Sequence, residues 1–553
     1  MEYLSDIREF KLLRNYINND PVCDFFEFQK HMNNSYNFEK DSNNYFNKYV
    51  NKISSNYINE FLDNIIKRTR QYYPHIIFNK FNNIDQTIQK IYDNIPLIIN
   101  PILLLDKYKL IVKCDIMIKK HLFLDIFNEI NNISFDIIDK NEYLIINIVP
   151  EILTFKSGCR EISNTYNVFY NKCGLYAFNS ALRKYIPRNN YYFLFGKDYK
   201  YNNKLLNKRE HIGLVIFEGI FKEKIIRSIK WLDKLKENKL ELLPKPCCIE
   251  LYPNMNNKQS SWETEKKKLA EKVKEITLIW RISYEDRNKL IDIGINTWDN
   301  LYLLKNLYEL KYTNTREIQE RIIHMNSNNN LIIEPRNITR GFKEILKSDD
   351  IEFILDIESV LNLETNGSYF NNDINEELPN ICIIGLIIIN KDKFVFKDFT
   401  IDELTIESEK LNIINWLNFI SKYDKIKIYH WGHAEKSYLE NIHKRFPNIK
   451  IPNMILIDLL EYYRKEPIII KDCFNFSLKT IGKNMYKHKL IKSTWSDTDN
   501  GLDAMIKFKE ICLRKDKNIP LKRYNEISEI IEYNKMDCVI LKEILEYLRY
   551  KYL

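Results

Sequence analysis

The spacing of apolar residues changes along this chain, and the changes divide it. Up to about residue 95, polar Asn-rich patches alternate with helical-period segments such as Tyr57-Ile58-Asn59-Glu60-Phe61-Leu62-Asp63-Asn64-Ile65-Ile66, which bury one face. Lys67, Arg68 and Arg70 follow, most simply as dipole-compensating surface charges. From Pro101 the pattern shifts to short β-branched runs, Leu110–Ile118 and Tyr143–Val149, which predict strands, with helical segments around Asn171 to Tyr185. Asp115 is the single acid inside the first of these strands.

Pro244-Lys245-Pro246 interrupts regular structure, and Trp262 to Ile276 predicts a helix in which Lys266, Lys267 and Lys268 form a solvated face. The polar run Met325-Asn326-Ser327-Asn328-Asn329-Asn330 marks a boundary. Beyond Phe342 the pattern predicts a strand at 353–358, a hairpin at 381–389 and 393–400, a helix at 405–421, a strand at 425–431, a helix at 433–445 and a final helix from about Ile527 to Tyr550. Hairpin strands followed by alternating helix and strand describe a mixed α/β sheet. The expected division is an α/β domain over 1–243, a helical connector over 244–335 and a second α/β domain over 340–553.

At 553 residues, 45% of them hydrophobic and 13% aromatic, the chain can build two to four real cores. Abundant Asn, Ile, Lys and Tyr beside only 12 Gly read as AT-rich coding bias, which discounts the Asn patches and the Lys usage. The net charge of +9 permits a polyanionic partner without arguing for one. Ten cysteines without a C-x-x-C pair speak against zinc knuckles and four-cysteine iron–sulfur clusters, leaving reduced thiols in a cytosol-like, intracellular compartment. Met1 to Asp6 carries no secretory leader, and the most apolar runs, Pro96–Leu105 and Ile381–Ile389, are too short to cross a bilayer, so no membrane partner is expected.

Candidate chemistry begins in Phe353-Ile354-Leu355-Asp356-Ile357-Glu358-Ser359, two carboxylates in an apolar strand. Burying charge is costly unless it is paired or binds metal. Two residues apart on a strand, Asp356 and Glu358 share one face and could share a divalent cation. The strand ending at Trp431 runs through Gly432-His433-Ala434 to Glu435, in the first turn of the next helix. In the final helix Tyr533 and Asp537, four apart, share a face. His430 and His433 flank the strand end as candidates for a base or for groups that could position Glu435 or nucleic acid; Lys479 could neutralise a phosphate or cap a helix.

These segments, with Phe476-Ser477-Leu478-Lys479-Thr480-Ile481 after Asp458-Leu459-Leu460, resemble DEDD-type 3′–5′ exonucleases, and more closely the YprB-type ribonuclease H-like domain found joined to RecB-like nucleases. The resemblance implies two Mg²⁺ or Mn²⁺ ions: Asp356 would bridge them, Glu358 and Asp537 would hold the one that activates water, and Tyr533 would orient that water. Glu435 stands where most members have Asp. Paired metals clamp the attacking and leaving oxygens of an in-line phosphodiester displacement, and hard cations take carboxylate oxygen.

The preceding half resembles RecB-type PD-(D/E)xK nucleases, with Asp115 on the first acidic position. The D-x-K expected next is Asn147-Ile148-Val149; an amide lacks the charge to hold metal, and valine cannot polarise water. Gly174 and Phe178 replace the usual Gln and Tyr, and Glu151 and Lys156 could substitute only after a register slip that reverses strand faces. A degenerate, inactive restriction-endonuclease-like domain is therefore expected, kept for architecture or binding. Glu250-Leu251-Tyr252-Pro253-Asn254-Met255 resembles the segment joining such halves, and 276–295 a helix–hairpin–helix element whose first turn lacks glycines, leaving DNA contact and mere packing both open. Such joined proteins resemble products of AT-rich genomes such as large DNA viruses. Relatives are often fused to helicases; no G-x-x-x-x-G-K-[ST] loop occurs here, so a separate helicase would supply any motor. The resulting expectation is a 3′–5′ exonuclease on DNA or RNA, and the alternative a non-catalytic nucleic-acid-binding or scaffold subunit of a repair or replication complex.

Overall fold

β-branched runs and amphipathic helices combine, in a computed structural model, into a mixed α/β protein of two compact units, the first built on the residues up to 43 and Val50–Val273, the second on residues 44–49 and most of the chain from Lys274 onward. The structure describes residues 5–32, 38–41, 45–76, 78, 80, 82–135, 142–187, 191–242, 244–258, 260–300, 313–328, 330–338, 341–359, 381–391, 393–496, 501–514, 516 and 519–553.

The main sheet of the first unit runs in the order Leu97–Ile99, Ile116–Lys119, Tyr143–Thr154, Tyr192–Tyr201, Lys204–Leu206. Tyr143–Thr154 pairs antiparallel with Ile116–Lys119 and parallel with Tyr192–Tyr201. Tyr57, Phe61 and Ile65 of the helix Tyr45–Tyr72 bury the expected apolar face in a core with Ile116, Ile118, Leu144 and Ile146.

Two expectations for this unit need correction. The run Leu110–Ile118 is two strands, Leu110–Lys113 and Ile116–Lys119, in different sheets, and Asp115 stands at the break. Its N–H donates to Asn147 Oδ1 (3.2 Å) and its carboxylate accepts from the Ile148 N–H (2.6 Å), local bonds that stand in for ladder pairing. Second, Lys266 is buried, paired with Asp20 at 2.9 Å and bonded to the Asn257 carbonyl, while Lys267 and Lys268 are exposed. The helix is Glu263–Lys272, and Lys266 lies on its inner face with Leu269 and Ala270.

In the second unit, β1 (Ile351–Ser359), β2 (Ile381–Asn390), β3 (Lys393–Thr400), β4 (Lys427–His430) and β5 (Ile455–Asp458) form one sheet in the order β3-β2-β1-β4-β5. The β1–β2–β3 pairs are antiparallel and the β1–β4–β5 pairs parallel. Helices α1 (Ile406–Ile420), α2 (Ala434–Arg445), α3 (Leu478–Lys487) and α4 (Asn525–Tyr552) complete the part that matters here.

Alternation along β1 sends Phe353, Leu355 and Ile357 into a core with Trp416 and Leu417 of α1, and Ile354 into one with Cys538, Leu541 and Ile544 of α4. Asp356 and Glu358 follow Ile354 in that alternation and so face α4. Ile276, Ile279, Ile282 and Leu290 belong to the α4-side core, so the later connector is part of this unit, and the division falls at Val273/Lys274, ahead of the polar run at 325–330. No described helix is long and apolar enough to cross a membrane.

Candidate active site

The site forms where α4 presses on the centre of the sheet. Asp356 lies opposite Gly385 of β2, and a β-carbon on that glycine would sit 1.8 Å from Asn534 Oδ1. The missing side chain lets α4 approach, and Asn534 Nδ2 then donates to Asp356 Oδ2 at 2.6 Å. Asp537, one turn further along α4, completes a cluster in which ligand oxygens of Asp356, Glu358 and Asp537 all lie within 4.8 Å of one another. Asp537 is buried and the other two half-buried, so the cluster is reachable from solvent. Trp495 Nε1 donates to Asp537 Oδ1 at 2.9 Å. Tyr533 shares that face, its hydroxyl hydrogen-bonded to Asp537, and Lys479 at the start of α3 places its Nζ 4.9 Å from the Tyr533 ring centre.

Burial, then the charges of Asp537, Glu358 and Glu435, hold Asp356 well above the usual carboxylate range; the Asn534 bond opposes them. Glu358 is pushed up to about 8 by burial and then Asp537, with Lys479 opposing and Glu435 adding. Burial and the same carboxylates push the Tyr533 hydroxyl up, which keeps it protonated. So dense a negative site must hold protons or a cation.

Glu435 lies outside the 4.8 Å cluster. β4 ends at His430, Gly432 turns the chain at φ 96°, and Glu435 opens α2. Its Oε2 is buried, without a hydrogen bond among the described residues, 3.4 Å from His430 Nδ1. Asp458 fixes this corner, accepting from the Gly432 N–H (2.8 Å) and the Leu460 N–H (3.0 Å). His433 is exposed. An all-oxygen set with one buried oxygen unsatisfied fits a hard divalent cation.

The structure thus gathers Asp356, Glu358, Asp537 and Tyr533, sets Lys479 beside them, and leaves Glu435 and His430 as an adjoining buried pair. Sequence reasoning missed Gly385, Asn534 and Trp495. A buried-face Asn inside the Tyr533–Asp537 repeat could have revealed Asn534; Trp495 arrives from a stretch without periodicity and carries no comparable signal.

In the first unit, Asp115 bonds to Asn147 and the Ile148 N–H; Asn147 Nδ2 in turn donates to Asn171 Oδ1 at 3.3 Å, and Asn167 Nδ2 donates to Glu151. Burial pushes Asp115 up to about 6, against the Ile148 N–H and Lys113. Lys156 is paired with Glu161 at 2.7 Å. Among the described residues no second three-ligand group accompanies Asp115.

No curated protein matches the chain. The family model described as RNase H superfamily matches residues 361–549, a span that holds Glu435, Lys479, Tyr533 and Asp537 and begins beyond Asp356 and Glu358. Together with the five-stranded mixed sheet, that match supports an RNase H-like fold for the carboxy-terminal unit.

Proposed function

We propose that the chain is a divalent-metal-dependent nuclease, a 3′–5′ exonuclease that hydrolyses DNA or RNA phosphodiester bonds at the Asp356–Glu358–Asp537 cluster. The observation that carries the reading is the convergence of three carboxylates on one solvent-reachable point of an RNase H-like sheet. Asp356, Glu358 and Asp537, with Glu435 beside them, would hold Mg²⁺ or Mn²⁺. Two such ions supply Lewis acidity and a water nucleophile at neutral pH.

The protein's own groups do the positioning. Asn534 and Trp495 each donate to one oxygen of a carboxylate, Asp356 and Asp537 respectively, and so fix its rotation. Tyr533, kept protonated, can hold a water or a phosphate oxygen beside Asp537. Lys479 supplies positive charge at the rim. The 3′–5′ polarity rests on the resemblance of the four acidic segments and Tyr533 to DEDD enzymes. The first unit, with Asn147 in place of an acid, serves in substrate binding or architecture.

The test is degradation of end-labelled single- and double-stranded DNA and RNA with Mg²⁺ or Mn²⁺. Asp356→Asn is expected to lower the rate by at least about a hundredfold, as loss of a pre-organised charge in an active site does. Undiminished degradation by that variant, or none by the unaltered chain on any of the substrates, refutes the proposal.

A further inference from the structure

The second unit also holds two arginines against one indole. Arg281 Cζ lies 4.5 Å from the Trp280 ring centre and Arg464 Cζ 5.5 Å from it; Arg464 is also 6.0 Å from the Phe476 ring. Guanidinium groups this close repel, and the aromatic faces offset part of that repulsion. Among the described residues neither arginine forms an ion pair, and Arg464 Nε is buried without a hydrogen bond. Burial, then the charge of Arg281, lowers the Arg464 pKa; Asp458 opposes them, but its Oδ1 is already engaged by the Gly432 and Leu460 N–H groups.

The arrangement is built rather than incidental. The Trp280 backbone is tied on both sides, its N–H to the Phe474 carbonyl at 3.0 Å and its carbonyl to Gln319 Nε2 at 2.9 Å. Arg281 takes a left-handed backbone, φ 60°, which is unfavourable for a non-glycine residue and here accompanies an exposed guanidinium over the indole. The Trp280 and Phe476 rings meet edge to face at 5.4 Å, and Trp431, just past β4, donates to the Phe476 carbonyl at 3.0 Å.

The patch also leads to the cutting site. Phe476 and Lys479 are three residues apart, at most about 11 Å of chain, and Lys479 faces Tyr533. Lys479, beside Tyr533, is thus a short stretch of backbone from Phe476, whose ring Arg464 flanks. We infer that Arg281 and Arg464, aligned by Trp280, bind the phosphodiester backbone of a nucleic-acid strand a few nucleotides from the bond held at the Asp356 cluster. The inference rests on the nuclease reading for the word "bond", and on the arginines alone for the strand. Planar guanidinium groups match phosphate oxygens in pairs, and an exposed Arg281 and a half-buried Arg464, neither in an ion pair among the described residues, lack only the anion. The contact reads backbone rather than base, so it is indifferent to sequence.

The experiment measures fluorescence anisotropy of a labelled single-stranded oligonucleotide with the full chain in EDTA, titrated over about 50–200 mM salt. Arg281→Ala and Arg464→Ala are each expected to weaken binding roughly threefold to tenfold and to reduce the log–log salt slope by about 0.7, the increment for one phosphate on a single strand. Arg281 is exposed, so its variant keeps the fold even if Arg464→Ala does not. Metal-dependent hydrolysis of a nucleoside 5′-(p-nitrophenyl) phosphate, too short to reach the arginines, should be unchanged in Arg281→Ala. Unchanged affinity and slope in Arg281→Ala overturn the inference whatever the cleavage result. A reduced slope with no cleavage by the unaltered chain upholds the strand contact and overturns the nuclease reading instead.

Discussion

Replacing Gly385 with alanine tests the geometry on which the site depends. The added β-carbon would lie 1.8 Å from Asn534 Oδ1, 2.8 Å from its Cγ and 3.2 Å from its Nδ2, so the whole amide has to move. α4 cannot simply retreat, because Cys538, Leu541, Ile544 and Leu545 anchor it in the core. Overpacking of this kind costs about 1–3 kcal/mol. Turning the amide away also forfeits a hydrogen bond to a carboxylate, worth about 1.5–3 kcal/mol. Alanine is intrinsically better than glycine in a strand by about 0.5–1 kcal/mol, which opposes both terms. The net expectation is a loss of about 2–5 kcal/mol, a fall of roughly 5–15 °C in the calorimetric midpoint of the unit. Asn534→Ala removes all three clashing atoms, so in that background Gly385→Ala should be nearly neutral, giving a coupling of at least about 2 kcal/mol. A Gly385→Ala protein within about 0.5 kcal/mol of the original, or an equal cost in both backgrounds, refutes the argument that this glycine makes room for Asn534.

Trp495→Phe keeps an aromatic ring but deletes the donor to Asp537, and should weaken Mn²⁺ binding roughly 10–100-fold by calorimetry; unchanged affinity would show that the indole only packs. Asp115, raised to about 6, binds its proton more tightly folded than unfolded, so its contribution to stability is present at low pH and lost as pH rises from about 4 through 6. Asp115→Asn keeps an acceptor for the Ile148 N–H, so it should match the original protein at pH 4.5 and be more stable at pH 7.5, by on the order of 2 kcal/mol in thermal melts; the same difference at both pH values would contradict the linkage. Lys266→Ala strands the Asp20 carboxylate in the interior and should cost about 3–5 kcal/mol, whereas Lys267→Ala should stay within about 0.5 kcal/mol; equal midpoints for the two variants would restore a solvated face for Lys266.

Local pattern was enough for the carboxy-terminal elements. A period of two placed Asp356 and Glu358 on one face of β1, a period near four placed Tyr533 and Asp537 on one face of α4, and both survive folding because they are properties of a single strand or helix. The same local reading failed at Asp115 and Lys266, where partners distant in sequence, Asn147 and Asp20, decide the outcome. Glu435 is on the expected helix turn, beside His430 and outside the three-carboxylate group.

Sequence by itself determined which residues are acidic, which face each takes, and that a mixed sheet would carry them. Tertiary structure alone decided that β1 and α4 come close enough for three of those acids to share a point. That closeness depends on the absence of a side chain at Gly385 and on donors from Asn534 and Trp495. Periodicity encodes direction along one element; the distance between two elements is set by the volumes packed between them.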